Sequence, residues 1–126
     1  MEGYDQAHAL ARSLRNSESF RRLLKAEATL AKEPEKWTRL QDVRQKQMQL
    51  TAQQLSGEQV AKEKIDALGN MVEALLIDEQ IRDYLLAEER FAQLLADVQK
   101  IIGEVVKELK LLTENQGREG VKEGSG

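Results

Sequence analysis

The chain has 126 residues but no cysteine, one histidine, one proline and five aromatics, and each scarcity removes a class of chemistry. Without cysteine there is no disulfide, no thiolate metal site, no iron–sulfur cluster and no cysteine nucleophile. A single histidine cannot build a His-rich zinc site or a di-iron cage within one chain. The aromatics, Tyr4, Phe20, Trp37, Tyr84 and Phe91, are too few for the stacking platforms that hold single-stranded nucleic acids. No apolar run approaches the roughly 20 residues needed to cross a bilayer, so no membrane association is expected. The opening stretch MEGYDQAHALARSL lacks the basic and continuous apolar regions of a secretory signal. The missing cysteines agree with a reducing compartment, and the expected location is cytoplasmic.

Helix-forming residues are abundant instead. Ala, Glu, Lys, Leu and Arg make up 66 of the 126 residues, a composition typical of long helices and coiled coils. The net charge of −3 argues against general nucleic-acid affinity. It hides an asymmetry: residues 12–46 hold ten basic and five acidic side chains, residues 58–126 nine basic and fifteen acidic.

Between a few breakers, apolar residues recur at three- and four-residue spacing, which predicts helices throughout. A first helix is expected over about Gly3 to Arg15, with Tyr4, Ala7, Ala11 and Leu14 on one face. Ser17 can accept a hydrogen bond from an early amide and so start a second helix, to about Lys32. Pro34 suits the first turn of a third helix, to about Leu55, because its missing N–H would be unpaired there anyway. Ser56-Gly57 stops that helix, glycine supplying the left-handed conformation. A fourth helix follows over about Glu58 to Leu76. Asp78 is placed to cap the fifth and longest, to Leu112. Its heptad seam reads Ile81, Tyr84, Glu88, Phe91, Leu95, Val98, Ile102, Val105, Leu109 and Leu112, with Glu88 its one charged member. Residues 113–126 have the composition of a disordered tail. The fold class is therefore all-α: an antiparallel bundle of about five helices in a single domain, 1–112, with one long C-terminal helix that dimerises.

Few residues invite a chemical reading. His8 stands alone beside Asp5 and Arg12, without a nucleophile, and reads as a surface or boundary residue. Glu88 in the seam needs a cation or donor if buried, which Arg44 or Gln47 of the third helix could supply. Gln47 and Glu88 are thus expected as a buried polar pair that sets register. Arg12, Arg15, Arg21, Arg22 and Lys25 gather at the corner between the first two helices, where they can meet phosphate or an acidic partner. The candidate interface is the far seam of the long helix: Phe91, Leu95, Val98, Ile102, Val105 and Leu109. No catalytic residues, metal ligands or cofactor site are identified.

Four stretches together resemble the bacterial YlbF/YmcA family: YDQAHALARSL (4–14), SESFRRLLKAEATLAKEPE (17–35), VRQKQMQLTAQQLSGE (43–58) and LLAEERFAQLLADVQKII (85–102). Glu88, Arg90, Phe91, Leu94, Leu95, Gln47 and Gly57 match the family pattern. The resemblance implies an all-helical cytosolic protein that forms dimers or larger assemblies and has no known catalytic site. The name-giving members are regulatory partners in low-GC Gram-positive bacteria that influence competence, sporulation, biofilm formation and RNA maturation through RNase Y. They carry C-terminal cysteines linked to iron–sulfur binding. This chain has none, so no cluster is expected, and it is more similar to the YheA-like branch, whose role is undefined. The expectation is a non-enzymatic regulatory or adaptor subunit that binds itself and other cytosolic proteins. The alternative is an RNA-associated factor using the corner from Arg12 to Lys25.

Overall fold

Five helices account for almost all of residues 2–110, the span that the computed structural model describes. They are α1 (Tyr4–Arg15), α2 (Glu18–Ala31), α3 (Pro34–Leu55), α4 (Lys62–Ile77) and α5 (Glu79–Lys107). No strand occurs among the described residues. The chain divides into two compact units, one reaching Arg90 and one starting at Phe91.

Each boundary has a local cause. Ser17 ends α1 and begins α2 at once: its hydroxyl donates to the Leu14 carbonyl (2.7 Å) and accepts from the Phe20 amide (3.2 Å). Pro34 occupies the first turn of α3, where a missing N–H costs nothing. Gly57 follows α3 at φ +85°, a conformation that a Cβ would disfavour. Asp78 caps α5 through Oδ1, which accepts from the Ile81 amide at 3.1 Å.

Two helices are shorter than the periodicity suggests. α4 starts at Lys62 rather than Glu58, because residues 58–61 carry the chain out of the left-handed turn before a helix resumes. α5 ends at Lys107, so Leu109 of the heptad seam lies past its last turn. Its 29 residues span roughly 44 Å at 1.5 Å per residue. Leu111, Leu112 and residues 113–126 lie outside the described span.

The core of the first unit is a cluster of Leu30, Leu40, Val43, Leu75, Ile81 and Tyr84, with Leu23, Ala26, Trp37, Leu68, Met71, Val72 and Leu85 against it. Leu30 and Ile81 are fully buried. One side chain of this size gains roughly 1.5–3 kcal/mol on burial, which is why these few apolar positions bind four helices together. Helix directions follow from the cross-contacts. Lys36, Trp37 and Arg44 of α3 meet Gln80, Tyr84 and Glu88 of α5 in the same order, so α3 and the start of α5 run parallel. The two-residue link from α2 to α3 brings the end of α2 to the start of α3, and therefore to the start of α5. Accordingly α2 runs antiparallel to the first turns of α5.

Candidate functional site

Polar chemistry in the first unit concentrates along the α3–α5 seam. Lys36 Nζ donates to Gln80 Oε1 (2.8 Å) and pairs with Asp78 Oδ2 (2.9 Å). That bond from Lys36 is the main reason the Asp78 carboxyl titrates below its usual range; the amides of Ile81 and Gln80 add to it against the opposing effect of burial. Further along, Arg44 pairs with Glu88, and the Tyr84 hydroxyl donates to the other Glu88 oxygen at 3.1 Å. The Arg44 guanidinium also lies 5.8 Å from the centre of the Tyr84 ring, and Trp37 meets that ring edge-on at 5.7 Å. Burial, then the neighbouring Glu88, pushes the Tyr84 phenol above its ordinary pKa.

Glu88 is thus satisfied by Arg44 and Tyr84, and it is half-buried, not enclosed. Gln47 takes no part: it is exposed, which corrects the expectation of a buried Gln47–Glu88 pair. The buried face of α3 stops at Leu40 and Val43, and Gln47 lies one turn beyond it. The longer Arg44 side chain reaches the carboxylate instead.

Arg12 and Arg15 are exposed in the last turn of α1, where they complement the negative end of its dipole. Arg21 is exposed on α2, while Arg22 and Lys25 turn into a trough of about 470 Å³ between α2 and the start of α5. Its lining includes the small side chains Ala26 and Ala87 and also Leu86, which remains 44% exposed. Arg90 and Asp83 stand on its α5 wall. Arg22 is engaged by Glu18 at 2.5 Å on an exposed surface. Among the described residues, Lys25, Asp83 and Arg90 make no ion pair. Sequence reasoning missed this trough, since Ala26 and Ala87 carry no signal that they face a common space.

The second unit presents the other candidate surface. Phe91, Leu95 and Val98 are half-buried, as is Leu94. Ile101 (65% exposed), Ile102 (56%), Val105 (66%), Val106 and Leu109 are exposed. At 100° per residue Ile101, Ile102, Val105 and Val106 fall on one arc of α5, with Asp97 and Glu104 along one edge and Lys100 and Lys107 on the opposite face. Contiguous apolar surface with a charged rim is the usual signature of an interaction site. His8 is exposed on α1. The described residues include no group of three or more His, Cys, Asp or Glu able to hold a metal ion. No helix among them is long and apolar enough to cross a membrane.

These features define a small all-helical bundle. A family model described as "Control of competence regulator ComK, YlbF/YmcA" matches residues 4–107, and the chain belongs to that family. It is 39% identical over 103 residues to the UPF0342 protein STH1710 of Symbiobacterium thermophilum, covering 82% of this chain and 92% of the relative. A UPF0342 protein of Caldicellulosiruptor saccharolyticus is 31% identical over 103 residues, 82% of this chain and 86% of its own length. Among solved structures, a protein of unknown function (DUF964) from Bacillus stearothermophilus shares the fold with a TM-score of 0.70. That match, at 21% identity, covers 87% of this chain and 96% of the other.

Proposed function

We propose that this chain is a non-enzymatic regulatory or adaptor subunit of the cytoplasm, one that self-associates through the far end of α5 and acts by binding other proteins. The exposed run of Ile101, Ile102, Val105, Val106 and Leu109 is the observation that carries this reading. Five such side chains, each about half-exposed, leave roughly 4–8 kcal/mol of unrealised burial per chain. A symmetric pair doubles that figure to roughly 8–16 kcal/mol, comparable to the roughly 4–15 kcal/mol that association costs in lost freedom. A gain and a cost of similar size make the association reversible, the behaviour of a subunit that exchanges partners. The family description, with its reference to control of a competence regulator, supports a regulatory role.

Sedimentation velocity over a concentration series tests the reading. The parent chain shifts towards a dimer as concentration rises, and Ile102→Asp with Val105→Asp stays monomeric. Both positions are exposed, so the variant keeps its helical circular dichroism. A parent chain that sediments as a monomer throughout, or a variant that associates as well as the parent, refutes it.

A further inference from the structure

We propose that the trough between α2 and the start of α5 binds a phosphate group, free or carried by a small molecule, between the guanidinium groups of Arg22 and Arg90. The site uses side chains of the first unit alone and does not depend on self-association through the far end of α5.

The antiparallel course of the two helices sorts the lining side chains into two ends. Thr29 and Gln80 mark one end, because the close of α2 lies beside the start of α5, and Ser19 and Arg90 therefore mark the other. Arg22 follows Ser19 by one turn on the same face of α2, so it and Arg90 bring two guanidinium groups to one end of the space. Among the side chains lining that end, Glu18 is the one carboxylate, and it is engaged with Arg22. Arg90 makes no ion pair among the described residues. Two guanidinium groups against one carboxylate leave an excess of positive charge. Asp83 lies two turns of α5 from Arg90, roughly 10 Å away, where Lys25 of the facing helix offsets it.

That end suits phosphate in particular. A guanidinium group meets a phosphate with two parallel hydrogen bonds, a geometry that lysine cannot match. The Ser19 hydroxyl adds a donor, and Ser19 stands in the first turn of α2, at the positive end of its dipole. The trough of about 470 Å³ has room beyond the phosphate for a small organic body. At its far end Gln80 Oε1 accepts from Lys36, which leaves the amide N–H groups of Gln80 to donate to that body.

The test follows backbone amide shifts of the isotope-labelled full chain at neutral pH and constant ionic strength. Inorganic phosphate and, separately, ribose 5-phosphate are the probes. Saturating shifts are expected at residues 19–22 and 87–90. Arg90→Gln should bind roughly fivefold more weakly, and Glu18→Gln more tightly, because it releases Arg22. Arg15→Gln, on α1 outside the trough, should bind as the parent does. All three positions are exposed, so the variants keep the fold. Tighter binding of ribose 5-phosphate than of inorganic phosphate supports the site and identifies an organic phosphate as its ligand. Equal binding supports the site as one for the free anion. Shifts that never saturate, or that Arg15→Gln weakens as much as Arg90→Gln does, mean an adventitious ion only and overturn the proposal. Unchanged binding in Arg90→Gln overturns it as well.

Discussion

The Arg44 guanidinium of α3 and the Glu88 carboxylate of α5 pair across the bundle, and the second Glu88 oxygen accepts from Tyr84 of its own helix. Glu88 thus ties α3 to α5 at one end of a contact that the Lys36–Gln80 hydrogen bond holds at the other. Its replacement by Gln leaves a half-buried guanidinium without its counter-charge, for an expected loss of about 1–2 kcal/mol in urea unfolding at neutral pH. The same variant has a spectroscopic consequence. Loss of the neighbouring negative charge makes the Tyr84 phenolate easier to form, so in a Tyr4→Phe background the absorbance titration of Tyr84 moves to lower pH. A change in stability with an unmoved titration would separate Glu88 from Tyr84.

Asp78 combines two roles that substitutions can separate. Asp78→Asn keeps a side chain able to accept from the Ile81 amide but loses the charge opposite Lys36. Asp78→Ala loses both. The expected losses are about 1 kcal/mol for Asn and about 2 kcal/mol for Ala. The carboxyl titrates below its ordinary value of 3.8 in the folded chain, so its contribution is full above that pH and disappears as pH falls through the folded value. Unfolding midpoints of parent and Asp78→Asn should therefore differ at pH 6 and converge at the acid end of this window.

Ser17 joins α1 to α2 by a donated and an accepted hydrogen bond. No residue of α1 is buried, and an isolated helix of its 12 residues is marginal in water. Ser17→Ala should cost about 1 kcal/mol. Its clearest sign is faster hydrogen exchange in α1, with the amides of α3 little affected.

The two glycines Gly57 and Gly69 should respond to alanine in opposite directions. Gly57 sits at φ +85°, where a Cβ costs about 1–2 kcal/mol. Gly69 lies inside α4 with nothing within 4 Å of an added Cβ, so alanine gains about 0.8–1 kcal/mol there from helix propensity alone. Thermal unfolding of the two variants checks both signs.

The helix boundaries that were legible in sequence are those made by single residues with local chemistry. Ser17, Pro34, Gly57 and Asp78 each act on the backbone within a few residues, so their roles hold without knowledge of the fold. What failed depends on tertiary placement. Gln47 fell on a seam position by periodicity, but burial of α3 ends with Val43 and periodicity does not say where cover stops. The corner from Arg12 to Lys25 was legible as a group of cations close in sequence, but its neighbours on α5 were not. Folding leaves Arg12 and Arg15 exposed on α1 and turns Arg22 and Lys25 into a trough shared with Arg90, far away along the chain. The far heptad of α5 was readable as apolar from its spacing. Its exposure needed the structure.

The exposed end of α5 is the centre of this account, and hydrogen exchange read against concentration tests it most directly. Amides of residues 98–107 are expected to exchange slowly in concentrated solution and at least tenfold faster on dilution below the association range. Those of residues 37–44, in the buried part of α3, should keep one rate at both concentrations. Rates for residues 98–107 that do not change with dilution would contradict self-association through this segment.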